Sequence, residues 1–229
     1  MSAQRGEGSI LSTDSVWNRR HTEGAEISHS LYNMTIGLVL AWGFGVNYVM
    51  VQALPAEAIL GINTWVFLIG YFVCAMVGTW IYSSSDNPVV SFAGYNLVVF
   101  PLGLLMVRFL YFYPPEVISQ AFLATGLVTC AMMVLSMMFP KFFISIGRGL
   151  FVAFMVAMVV EIGFFFISGA VPPIFDWIFV VIFSCYIGYD WVRAQLLPKT
   201  LDNAVDCAAS LYVDIVILFL RLVSILGRR

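Results

Sequence analysis

The chain has 229 residues, of which 61% are hydrophobic and 10% charged. Globular chains average about 25% charged residues, so a single soluble core is not supported and a soluble enzyme is excluded. A net charge of −2 leaves no basic face for nucleic acid, and the balance is that of a polytopic membrane protein.

In chain order, residues 1–29 are polar and mixed in charge. They lack the basic–apolar–small order of a cleaved signal peptide, and the composition predicts a mobile, soluble tail. Both histidines, His21 and His29, fall in this leader, so no histidine-based metal site is available within the membrane. Residues 30–229 then read as one transmembrane domain.

Seven apolar runs follow: Ser30–Leu54, Ile62–Tyr82, Val89–Leu110, Val117–Met138, Gly149–Ile167, Ile174–Arg193 and Ala204–Leu226. Each is near the about 20 residues that a helix needs to cross the hydrocarbon core. Backbone amides in lipid must be satisfied within the segment, which predicts helices. The breaks carry turn chemistry at Leu54–Pro55, Ser83–Pro88, Pro114–Pro115, Pro140–Lys141, Pro172–Pro173 and Pro198–Lys199. The expected fold is an all-α integral membrane protein of seven transmembrane helices.

Basic residues orient it. A cytoplasmic leader puts Arg5, Arg19, Arg20, Lys141, Arg148, Arg193 and Lys199 inside and Arg108, Arg221, Arg228 and Arg229 outside, an excess that favours N-inside. Gly37, Gly43, Gly45, Gly70 and Gly78 suit close helix packing. The dispersed Cys74, Cys130, Cys185 and Cys207 read as buried packing thiols.

Ionisable groups within spans are costly and mark function by default. Asp190 closes Tyr186–Ile187–Gly188–Tyr189–Asp190 in the sixth run, and Asp214 lies in the middle of the seventh. Each is 12 residues from Asp202, near the centre of the connection. In an antiparallel hairpin both therefore sit at one depth, about 12–15 Å below the turn. Two aspartates held close in low dielectric share one proton and titrate in two separated steps. Deprotonated, they present hard oxygens that suit a passing calcium ion rather than a soft metal. The alternative is that each caps a helix break or pairs with an arginine; Arg193, three residues after Asp190, can reach it.

Glu161 and Arg221 form a second pair near the opposite membrane face, expected to be a structural ion pair, with lining of an ion path as the second role. Arg108 competes for the same partner. Asp202 and Asp206 suit the positive end of the last helix as capping groups, with a cation-collecting vestibule as the alternative.

From Phe183 to Gly227 the chain resembles the C-terminal signature of the Bax inhibitor (transmembrane Bax inhibitor motif) family. The matching pieces are Tyr186–Asp190, Ala208–Ile215 with its Leu211–Tyr212–Val213–Asp214, and Leu218–Phe219–Leu220. Ala121–Phe122–Leu123–Ala124–Thr125 resembles the family's A-x-x-x-T element, and Lys141–Gly147 its following loop. The resemblance covers most of residues 89–227. It implies six helices around a central seventh, with Asp190 and Asp214 as a diaspartyl pH sensor in a calcium-leak pathway. Departures are Gly126 and Thr129, which replace residues more typical after the A-x-x-x-T element, Ile217, where an asparagine is common, Arg221, placed earlier than the usual late arginine, and the lack of an arginine in Ile62–Tyr82. Arg193 then stands in as the candidate latch on the aspartates.

The expected function is a non-enzymatic, pH-sensitive calcium leak channel that needs no cofactor, with calcium as the transported ion and the lipid bilayer as its surroundings. A second reading is a regulatory protein that binds a membrane protease or cell-death machinery through its leader. A third is an intramembrane aspartyl protease, disfavoured because 24 residues separate the acids and no glycine-rich setting precedes Asp214. Retinal-based pumping lacks its lysine in the last helix. The resemblance and the short leader point to a bacterial plasma membrane.

Overall fold

Each apolar run closes its own backbone hydrogen bonds, and the polar breaks supply the caps. The computed structural model describes residues 25–228; the mobile-tail reading of residues 1–24 lies outside the described residues. The helices are α1 (His29–Ala53), α2 (Ala56–Leu60), α3 (Thr64–Ser84), α4 (Pro88–Leu110), α5 (Pro115–Met138), α6 (Pro140–Ser168), α7 (Ile174–Leu196) and α8 (Leu201–Leu226). All but α2 are long and apolar enough to cross a membrane.

Local chemistry fixes the ends. Ser28 Oγ accepts from Leu31 N at 3.2 Å to start α1, Asn63 Oδ1 accepts from Trp65 N at 2.9 Å to start α3, and Thr200 Oγ1 accepts from Asn203 N at 3.1 Å to start α8. Proline occupies the first turn of α4, α5 and α6, where its missing N–H costs nothing. Gly169, at φ 70°, terminates α6 in the left-handed conformation that suits glycine.

The spans alternate in direction, so one end of the bundle gathers the start of α1 with the α3–α4, α5–α6 and α7–α8 turns; we term it the leader end. The far end holds α2 and the close of α8. Helix α8 is the axis, touching α7, α1, α5 and α4. Over half (56%) of its most apolar stretch is buried, against 11% for α3 and for α6. Those two are flanks, with α3 packed on α4 and α6 on α7, while the consecutive α5 and α6 scarcely touch.

Two glycines admit close approaches beside α1 and between α3 and α4. A Cβ on Gly78 would stand 2.6 Å from the Gly94 carbonyl oxygen, so α3 and α4 cross backbone to backbone. A Cβ on Gly43 would run into the Tyr95 hydroxyl and the Tyr212 ring, which fill the space beside α1.

Several expectations need correction. Helix α6 starts at Pro140, nine residues before Gly149, so the Lys141–Gly147 loop is helical. Its Lys141, Ser145 and Arg148 lower the local hydropathy, but no breaker interrupts the helix there. Helix α2 was not anticipated, being too short to show a period. Gly37, Gly45 and Gly70 have nothing within 4 Å and serve no close contact. Cys130 is exposed, and Cys74 and Cys185 are only half-buried; Cys207 alone of the four is buried, and all four are free thiols. Arg108 does not compete for Glu161. It donates to the Ile59 and Ile62 carbonyls at 3.2 and 3.0 Å and to Thr64 Oγ1 at 2.7 Å, closing the end of α2.

Candidate functional site

The site begins with the turn that sets its depth. Lys199 Nζ donates to the carbonyls of Ala194 (3.1 Å) and Gln195 (2.6 Å), satisfying the end of α7, and lies 4.7 Å from the centre of the Tyr32 ring. Burial holds this ammonium below the usual lysine range. Asn203 Nδ2 donates to Pro198 O at 3.0 Å, and Ile27 N to Lys199 O at 2.8 Å, which ties the root of the leader to the same turn. The turn is short and pinned, so α7 and α8 run back at matched depth.

Twelve residues on either side of Asp202, the Asp190 and Asp214 carboxyl groups hydrogen-bond to each other. Carboxylates only accept, so this contact holds at least one proton. Tyr186, one turn before Asp190 on α7, lies beside both acids. Asp214 is 7% exposed, and its Oδ2 has no hydrogen-bond partner among the described residues. No three histidine, cysteine, aspartate or glutamate side chains converge on a metal site among the described residues. Two carboxyls fall short of the six to eight oxygens of a resident calcium site.

Toward the far end, Arg221 is held in a charge-balanced cluster. Its Nη1 and Nη2 meet Glu161 Oε1 and Oε2 at 2.5 and 2.9 Å, a bidentate contact, and Nη1 also reaches Asp176 Oδ1 at 2.9 Å. Asp176 Oδ2 receives Arg228 Nη2 at 2.7 Å and Ser224 Oγ at 2.8 Å. The guanidinium lies 4.2 Å from the Phe179 ring centre, a cation–π contact. Glu161 of α6 is thus tied to α8 although those helices scarcely meet.

Toward the leader end, Asp202 and Asp206 are buried at 4% and 2% exposure. The cap of α8 is Thr200, not Asp202: Asp202 Oδ1 accepts from Ser91 Oγ of α4 at 2.7 Å. Arg193 sits half-buried one turn beyond Asp190 on α7.

Three groups escaped the sequence reading. Asp176 sits in the first turn of α7, where an acid reads as a helix-end residue. Ser91 gives no signal in a run of small and apolar residues. Asn47 Nδ2, on α1, donates to the Tyr212 hydroxyl and to Met106 Sδ (3.3 Å), on the side of α8 away from Asp214; a lone amide in an apolar span was its only signal.

Seven spanning helices among the described residues, the last of them carrying buried acids, define an integral membrane protein of the polytopic helical-bundle class. The family described as "Inhibitor of apoptosis-promoting Bax1" (Bax1-I) matches residues 26–229, nearly the whole chain, and the protein belongs to it. The chain is also 30% identical over 111 residues to an uncharacterized protein, Cj0236c, of Campylobacter jejuni. That match covers 48% of this chain and 47% of the relative, so it spans about half the relative's length.

Proposed function

We propose that the protein is a pH-sensitive calcium leak channel whose gate is the Asp190–Asp214 pair. The observation that carries this reading is the hydrogen bond between two carboxyls on adjacent spans, deep in the bundle. While a proton is shared, the pair is a singly charged clasp between α7 and α8. Loss of that proton leaves two carboxylates that repel each other and attract a divalent cation. The Asp214 Oδ2 atom, buried and unused by the protein, is then a ready acceptor for the ion. Calcium binding therefore strengthens as pH rises. Flux need not follow in proportion, because tight binding slows release.

A channel fits better than a protease. The acids stand only 24 residues apart on one short hairpin, which leaves little room for a substrate, and no glycine-rich setting precedes Asp214. Flux of Ca²⁺ into liposomes, compared with Na⁺ and K⁺ across a pH series, tests the assignment. The wild type should respond to pH, and Asp190→Asn and Asp214→Asn should each flatten the response. A wild-type response in both variants removes the gate.

One contact favours an added regulatory role: Ile27 N to Lys199 O fastens the leader to the turn of the acid hairpin, so a membrane protease or other partner gripping the leader would pull on that turn. Deleting residues 1–26 should leave conduction intact and abolish such control. We place the leader on the cytoplasmic face of a bacterial plasma membrane, which terminal reporter fusions would test.

A further inference from the structure

Helix α8 segregates its polar residues far more strictly than the other spans. At about 100° per residue, Asn203, Asp206, Ser210, Asp214, Arg221 and Ser224 fall on one stripe about 80° wide that runs the length of the helix. From Asn203 to Ser224 a single apolar side chain, Ile217, occupies that stripe. It stands one turn beyond Asp214 and one turn before Arg221, on the segment that separates the acid pair from the charge-balanced cluster.

Burial differs between the two faces of the helix. The opposite face is closed, with Ala208, Ala209, Tyr212 and Val223 at 0% exposure. On the stripe, Asn203, Asp206 and Asp214 are buried, whereas Ser210, Ile217, Arg221 and Ser224 are half-buried. From Ile217 to Ser224 the stripe is half-buried, and Asp214 just behind Ile217 is closed. A polar lining holds water and cations, whereas an apolar constriction sheds them. Isoleucine suits such a barrier because its branched Cβ leaves essentially one χ1 rotamer in a helix.

We propose that Ile217 is the hydrophobic barrier of the conduction path, a rate-determining residue that keeps the acid pair dry from the far end. This rests on the channel reading above. The barrier separates two stretches of polar lining and is set by side-chain polarity at one position.

The test is cation leak through liposome-reconstituted full-length protein. Ile217→Asn should raise Ca²⁺ leak about tenfold or more at every pH, as expected when a dry constriction becomes wettable. Ile217→Ser should act in the same direction and serves where the asparagine variant fails to fold. Ile217→Val should remain within about twofold of wild type, since it stays apolar and stiff. Ile217→Ala, which loosens packing without adding polarity, should fall well below the polar variants. Folded Asn and Ser variants that leak at the wild-type level would overturn the proposal, as would alanine matching asparagine. If the polar variants leak while Asp190→Asn and Asp214→Asn keep the wild-type pH response, the barrier stands and the proton gate falls.

Discussion

Helix α8 carries buried charge in two places, and the two are built on opposite principles. At Arg221 an acid faces a base: Glu161 and Asp176 converge on one guanidinium, with Arg228 behind Asp176. At Asp214 an acid faces an acid, joined through a shared proton. The first arrangement pairs opposite charges and holds α6, α7 and α8 together. The second is satisfied only while protonated. Opposite charges here make a rivet; the like-charged pair is the part we propose to respond to pH.

The contrast can be broken first at the rivet. Arg221→Met strands Glu161 and leaves Asp176 to Arg228. Removing one partner of a buried pair costs about 3–5 kcal/mol; partial exposure of this cluster reduces that to about 2–3 kcal/mol, read as a lower thermal unfolding midpoint in detergent. Glu161→Gln should cost less, about 1 kcal/mol, because Asp176 still holds the guanidinium and an amide can accept from it. The smallest stability change belongs to the acid pair. Asp214→Asn keeps a hydrogen-bonding group beside Asp190 and adds its own donors, so the midpoint should move by the equivalent of less than about 1 kcal/mol. That variant should nonetheless abolish the pH response of calcium flux. A rivet-sized loss of stability in Asp214→Asn would erase the distinction between the two sites.

Much of this was legible because membrane physics leaves few choices. An apolar run of the right length has to be a helix, and equal spacing about Asp202 sets Asp190 and Asp214 at one depth. Glu161 and Arg221 stood out as charges in apolar surroundings. What stayed hidden depends on rotation about helix axes, which spacing along one helix does not reveal. Asp176 joins Arg221 only because α7 turns that face toward α8, and Ser91 meets Asp202 only because α4 does the same. The start of α6 was missed for another reason. Lys141, Ser145 and Arg148 look like a loop to hydropathy, yet Pro140 opens a helix there without strain. The five glycines divide similarly: Gly43 and Gly78 face neighbours, while Gly37, Gly45 and Gly70 face open space.

The shared proton is most directly observed by pH-difference infrared spectroscopy of the reconstituted protein, in the carbonyl-stretch region of protonated carboxyls. The wild type should show a carboxylic-acid band that disappears as pH rises and is altered or lost in both Asp190→Asn and Asp214→Asn. A wild-type spectrum without a titrating carboxyl band, or with one that neither substitution disturbs, would contradict the account.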